Sequence, residues 1–481
     1  MEKIDSKHII SNMIWRFLES SGSEVIQFVI SIILARLLDP SVYGTVAIVI
    51  VFTSILRIFI DSGFGTALVQ KKNSDDLDFS SVFYFNILIC ILTYILLYAL
   101  APKVAHFYKK IELVSVIRVL GLSLLVYGVR NIQQSYVAKY LLFKRFFWAT
   151  LGGTLLSSFI GISLAYRGYG VWALVWQQFT VSFISMVILW ITVKWRPIPK
   201  FSFCRLKVLF NFSWKLLASS ILDTVYRDMR TLIIGKLYSS RDLAFYQKGS
   251  QLPSLLIDNI NASINSVLLP TMSNEQDNRE RIKYMTRRSI MSSTFIIMPM
   301  MAGFAACSTI FVRLVLTEKW MPCVFFLRIF CITYSFHPIQ TSNLSAIKAM
   351  GRSDLFLKLE IIKKTLGLLS LLLTVWIGVK AIALSALVFS FVSQIVNSWP
   401  NKKLLDYSYF DQIRDILPQI ILSIIMGILI YSITYLNLND FLSLCIQIPL
   451  GCVVYITLAR TLKFQSEIYV ENLIRNFFKR N

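Results

Sequence analysis

Residues 12–37 read NMIWRFLESSGSEVIQFVISIILARL, and residues 211–237 read NFSWKLLASSILDTVYRDMRTLIIGKL. Each opens on a tryptophan followed by a cation, Trp15-Arg16 and Trp214-Lys215, and continues as a hydrophobic helix studded with polar residues. Leu18, Ser20 and Ser21 face Leu217, Ser219 and Ser220, Glu24 faces Asp223, and the exits Ala35-Arg36-Leu37 and Gly235-Lys236-Leu237 agree. A repeat at a separation of about 200 residues marks two related halves, each opening on the same helix. Membrane proteins built this way place the working site between the halves. The repeat is imperfect in its charges: Glu19 is matched by Ala218, and Gln27 and Phe28 fall opposite Tyr226 and Arg227.

Working outward, the chain has 481 residues, 56% hydrophobic and 16% charged, with a mean hydropathy of +0.63. That composition lacks the polar surface of a soluble domain and specifies an integral membrane protein. The formal charge of +23 does not imply nucleic acid, because the cations sit at the ends of apolar spans. The seven cysteines show neither CxxC spacing nor a paired framework, and read as small buried hydrophobes. Glu19, Glu24 and Gln27 interrupt the first apolar run, so it is expected to be a retained helix and not a cleaved leader.

Apolar runs predict membrane helices near 12–38, 42–69, 80–100, 112–137, 146–166, 171–193, 210–237, 242–269, 288–317, 321–347, 356–376, 379–399, 415–436 and 441–461. The fold class is therefore all-α integral membrane, with about 14 spans. The termini and even-numbered connections carry about 28 Lys and Arg, including Lys71-Lys72, Lys144-Arg145 and Lys402-Lys403, against about 9 in the odd connections. This asymmetry places both termini in the cytoplasm. Ile117-Arg118 with Ala138-Lys139 is echoed by Leu327-Arg328 with Ile347-Lys348, aligning the fourth helix of each half. The expected division is a first lobe over 1–199, a second over 200–400, and a final hairpin with its tail over 401–481.

Polar stripes run through the spans. Asn12, Arg16, Glu19, Ser23, Gln27 and Ser31 share one face of the first helix, and Lys215, Ser219, Asp223, Arg227 and Arg230 one face of the seventh. The eighth carries Gln247, Gln251, Ser254, Asp258, Asn261 and Asn265, and the second Thr53, Arg57 and Asp61. An ionised side chain near the bilayer centre costs about 2.5–3.5 kcal/mol on insertion scales, so these faces meet protein or water. They predict a water-filled cavity walled by helices one, two, seven and eight. Arg16, Arg57, Arg130, Lys215, Arg227 and Arg230 are its cationic candidates, suited to phosphate oxygens. Glu19, Glu24, Asp61, Asp223 and Asp258 are candidates for taking up H+ or Na+, and equally for neutralising the arginines through pairs such as Arg16 with Glu19, Arg57 with Asp61 and Asp223 with Arg227. His337-Pro338 falls inside a span, where proline frees a carbonyl and bends the helix, as a gate or a static kink. No second histidine or cysteine stands at ligand spacing from His337, so no metal is expected. Trp148, Trp172, Trp176, Trp190 and Trp195 near span ends read as an interfacial belt. The sequence contains no Walker motif, HExxH or GxSxG, which argues against an enzyme and a cofactor.

QFVISIILARLLDPSVYGTVAIV at 27–49, DSGFGTALVQKK at 61–72, SSVFYFN at 80–86, GYGVWALVWQQ at 168–178, LTEKWMPCVFFLRI at 316–329 and GRSDLFLKLEIIKK at 351–364 resemble the polysaccharide transporter family of lipid-linked oligosaccharide flippases. The resemblance is to the Wzx proteins of the colanic acid exporter (WzxC) type, in a superfamily shared with MATE exporters and the peptidoglycan-precursor flippase. It implies two pseudo-symmetric six-helix lobes in the bacterial inner membrane. The implied activity is export of an undecaprenyl-pyrophosphate-linked oligosaccharide to the periplasmic face by alternating access, coupled to an ion or to the membrane potential. Implied partners are that cargo, membrane lipids, H+ or Na+, and other polysaccharide assembly proteins around a monomer. The alternatives are a MATE-like multidrug or cation antiporter, for which an acidic or aromatic cavity is expected, and a membrane glycosyltransferase or polymerase, for which a sizeable periplasmic loop is expected. The last helix pair departs from the twelve helices common in such transporters.

Overall fold

The computed structural model describes residues 6–61, 63–71, 74–436 and 438–462, with side chains described except at 6–14, 16–21, 212, 215 and 216. Among the described residues every regular element is helical. They form two compact units, 1–244 and 245–481.

The first unit holds α1 (Ser6–Leu37), α2 (Pro40–Asp61), α3 (Phe64–Gln70), α4 (Asp76–Tyr108), α5 (Leu113–Lys139), α6 (Phe143–Tyr166), α7 (Val171–Thr192) and α8 (Phe203–Leu237), and α9 (Ser240–Ser273) begins at its edge. The second holds the rest of α9 with α10 (Arg279–Phe311), α11 (Cys323–Ser335), α12 (His337–Ala349), α13 (Ser353–Thr374), α14 (Val379–Leu405), α15 (Tyr409–Ser432) and α16 (Asp440–Thr461). Among the described residues ten spans are long and apolar enough to cross a membrane, counting α2 with α3 as one and α11 with α12 as another. The protein is a multi-pass all-α membrane protein. The helices outside that ten, α1, α8, α9 and α13, carry polar or charged stripes, and adding them is compatible with the expected fourteen.

The sequence repeat reappears in the helix ends. α1 stops at Leu37 and α8 at Leu237, and a short turn starts the next helix in each case. In the first turn Asp39 Oδ1 accepts the Ser41 amide at 2.9 Å, and in the second Ser239 Oγ accepts the Asp242 amide at 3.1 Å. These side chains satisfy amide groups that a helix start leaves without partners. Although α8 opens the second repeat, it packs on α2, α3 and α4 in the first unit. The division of the structure falls at 244/245, and the division expected from the sequence repeat at 199/200.

The connection into α8 is fastened to the base of α4. Trp195 is 6% exposed and donates its Nε1 to Asp76 at 3.1 Å, so it is an anchor and not part of an interfacial belt. Ser80 and Ser81 accept the Ile198 and Ser202 amides at 2.9 and 3.0 Å. Arg205 reaches Asp75 at 2.5 Å, and this hydrogen bond holds the Asp75 carboxyl below its usual range.

Small residues set how closely α6 meets α7. A Cβ on Gly153 would stand 2.3 Å from Ser185 Oγ and 2.8 Å from the Val181 carbonyl oxygen. Backbones approach this closely only where side chains are absent. Gly153→Ala is expected to force the two helices apart at a cost of about 1–3 kcal/mol. Thermal unfolding of the purified protein in detergent should show a lower midpoint, and an unchanged midpoint would contradict this packing.

In the second unit a buried amide network joins α12, α14 and α15. Asn343 Nδ2 donates to Gln412 Oε1 at 2.8 Å, Gln412 Nε2 returns to Asn343 Oδ1 at 3.0 Å, and Asn401 Nδ2 reaches the same oxygen at 2.6 Å. Gln419 and Tyr455 bind backbone carbonyls of α10, at Met291 and Phe295, both at 3.0 Å or close to it. Buried polar groups of this kind specify register because misalignment leaves them unpaired. The final hairpin is thus built into the second unit against α10. Cys90, Cys307, Cys323 and Cys331 are buried as expected, whereas Cys204, Cys445 and Cys452 are exposed; all are free thiols.

Candidate functional site

Three helices of the first unit bring ionic residues together. Arg57 sits on α2, one turn before Asp61. The pairing of these two foreseen from their spacing does not form: Arg57 donates to Ser123 Oγ on α5 over a long 3.5 Å, and Asp61 accepts from Asn131 Nδ2 at 3.2 Å. The order explains this, since a base four residues before an acid is the weaker arrangement on a helix. Arg57 and Arg130 both lie over the ring of Tyr127, at 5.4 and 5.8 Å. This contact stabilises cations without neutralising them.

α8 completes the cluster. Ser54 Oγ donates to Asp228 at 3.1 Å, bringing α2 to α8, and Arg227 Nε lies 3.5 Å from the other Asp228 oxygen. Arg227 thus takes Asp228, not the expected Asp223, and its side chain remains 72% exposed. The Nε groups of Arg57 and Arg230 are buried without a hydrogen-bond partner. Among the described residues Arg57, Arg227 and Arg230 stand on α2 and α8 with Asp61 and Asp228, and Arg130 shares the Tyr127 ring with Arg57. Buried guanidinium nitrogens without hydrogen-bond partners have the chemistry to take an anion's oxygens.

Ser54, Ser123, Tyr127, Asn131 and Asp228 are members of this site that the sequence reading missed. Ser123, Tyr127 and Asn131 recur every four residues on α5, the same spacing as the stripes read on other helices, and Ser54 stands beside Thr53 on α2. Asp228 follows Arg227 directly and falls outside the three-and-four spacing of the stripe.

The side chains of Arg16, Glu19 and Lys215 fall outside the described residues. Glu24 is half-buried on α1, Asp223 is exposed on α8, and Asp258 is exposed on α9. His337 and Pro338 stand where α11 ends and α12 begins, so proline splits this span into two helices. His337 lies against the Tyr334 ring at 5.0 Å. Among the described residues no group of three or more His, Cys, Asp or Glu is placed to hold a metal ion.

The second unit contributes a groove of about 610 Å³ between α10, α15 and α16. Its walls include Phe295, Met300, Phe304, Met426, Ile448 and Tyr455, and Leu256 of α9 stands at its border. Such a groove suits an unbranched or isoprenoid hydrocarbon.

The family model described as "Polysaccharide biosynthesis protein" matches residues 33–325. The teichuronic acid biosynthesis protein TuaB of Bacillus subtilis (strain 168) is 24% identical over 470 residues, covering 94% of this chain and 95% of TuaB. The lipopolysaccharide biosynthesis protein WzxC of Escherichia coli (strain K12) is 20% identical over 391 residues, covering 80% of this chain and 77% of WzxC. Among solved structures, the lipid II flippase MurJ in an inward closed conformation superposes with a TM-score of 0.75 at 18% identity, covering 96% of this chain and all of MurJ. This likeness shows a shared fold.

Proposed function

The chain belongs to the polysaccharide biosynthesis protein family, and from that premise we propose that it translocates an undecaprenyl-pyrophosphate-linked oligosaccharide from the cytoplasmic to the periplasmic leaflet. The observation that carries this reading lies in the first unit, where Arg57 and Arg230 present buried guanidinium nitrogens without hydrogen-bond partners. Guanidinium groups bind phosphate oxygens in a bidentate fork. The pyrophosphate is held by Arg57, Arg130, Arg227 and Arg230, with Arg16 and Lys215 as further cations. An organic-cation exporter is disfavoured by the same arginines, which would repel its cargo.

Movement follows alternating access in the bacterial inner membrane, with both termini in the cytoplasm, a monomer working alongside other polysaccharide assembly proteins. Asp61 is the foremost candidate for the coupling ion, since Asn131 leaves one of its oxygens open to a proton or Na+. Glu19, Glu24, Asp223 and Asp258 are the other candidates, and the break at His337-Pro338 gives the second unit a bending point. A charge carried through the membrane field contributes about 2.3 kcal/mol per 100 mV, enough to drive the cycle in one direction.

Deleting the gene tests this reading. Lipid-linked oligosaccharide is expected to accumulate on the cytoplasmic side while surface polysaccharide disappears. Unchanged surface polysaccharide together with altered sensitivity to organic cations would overturn it in favour of a drug exporter.

A further inference from the structure

Between Gln251 and Asn278 the chain contains no lysine or arginine. Yet Gln251, Asp258, Asn259, Ser263, Asn265 and Ser266 are exposed on α9 in the second unit. At 100° per residue these six fall on one broad face of the helix. Hydrocarbon is a poor neighbour for such a face, because amides and hydroxyls left unpaired in lipid cost free energy.

Several groups on this face are held by bonds to α9 itself and to α12. Ser263 and Ser266 give their hydroxyl protons to the α9 carbonyls of Asn259 and Ser263, both at 2.8 Å, leaving their oxygens as acceptors. Asn265 Oδ1 accepts from Ser345 at 3.0 Å and Asn261 Oδ1 from Thr341 at 3.5 Å, which fixes their amide orientation with α12 behind them. Sugar hydroxyls both donate and accept, so this mixed, nearly neutral face complements them. A phosphate finds no cation here. At its edge the face meets Leu256, which borders the apolar groove.

We propose that the exposed amide and hydroxyl face of α9 reads the glycan of the cargo, and so sets which oligosaccharide the protein accepts. This inference rests on the proposed function, and assigns the glycan and the pyrophosphate to different elements of the chain. α9 binds the neutral sugar hydroxyls of the glycan.

The test compares two probes on the purified full-length protein: undecaprenyl pyrophosphate, and the lipid-linked oligosaccharide extracted from the deletion strain. The wild-type protein should bind the glycan-bearing lipid more tightly than undecaprenyl pyrophosphate. Asn259→Ala combined with Ser263→Ala should remove about tenfold of that preference, two neutral hydrogen bonds' worth, while undecaprenyl pyrophosphate binds as before. Gln251→Ala, as a second and separate variant, should lower the preference in the same direction. Equal weakening of both probes, or no weakening of either, would overturn the α9 assignment, as would a wild-type protein that binds both probes equally. Failure of the wild-type protein to bind either probe would instead overturn the flippase reading beneath it.

Discussion

Replacing Arg57 with glutamine is expected to lower affinity for undecaprenyl pyrophosphate about tenfold to a hundredfold, a loss of about 1.5–3 kcal/mol, and to stop export at unchanged protein level. The magnitude follows from what Arg57 does in the protein without cargo. Its only described hydrogen bond is a 3.5 Å contact to Ser123, its Nε is buried without a partner, and the nearest acid on its own helix, Asp61, is engaged by Asn131. Little native structure depends on this charge, so its removal falls on the ligand. Tyr127 separates charge from shape: Arg57→Lys keeps a cation over that ring but loses the planar fork, and should recover part of the affinity. Arg227→Gln should behave alike, weakened by its Asp228 partner. Binding by titration, export by surface polysaccharide and protein level by immunoblot check the three quantities. Wild-type affinity in Arg57→Gln would remove this residue from the site.

The repeat at Trp15 and Trp214 made the architecture legible, since related halves with matching helix exits at Leu37 and Leu237 leave few alternatives. Periodicity also identified α2 and α8 as bearers of charge. Two things stayed hidden. Pairing was misread because helix spacing tells which side chains are neighbours along one helix, whereas Arg57, Asp61 and Ser54 found partners on α5 and α8. Packing of α8 was not legible because a repeat does not tell what a helix docks on, and α8 meets α2 and the start of α4 through contacts such as Ser54 with Asp228 and Arg205 with Asp75. Trp195 illustrates the same limit: beside a lysine-rich connection it reads as an interface residue, but its indole nitrogen finds Asp76 and its ring is buried against Phe79 and Tyr136. The last two helices were legible as spans at 415–436 and 441–461, but their packing was not. Their role emerges only from the bonds of Gln412, Gln419 and Tyr455, which fasten them to the second unit and complete one wall of the apolar groove.

Reconstitution shows the second large effect and distinguishes a glycan-lipid flippase from an exporter of organic cations. An arginine-rich site should reject a free cation and accept a phosphate diester or pyrophosphate, so the two cargos should differ by orders of magnitude in transport rate. The purified protein would be placed in liposomes carrying the lipid-linked oligosaccharide from the deletion strain, and the fraction of glycan reaching a membrane-impermeant periodate reagent followed over time. With an imposed ion gradient or potential, the glycan of the reagent-protected leaflet should become oxidisable in wild-type vesicles and remain protected in protein-free and Arg57→Gln vesicles. Glycan that stays protected in wild-type vesicles, while the same preparation moves an organic cation against a proton or sodium gradient, would contradict the account.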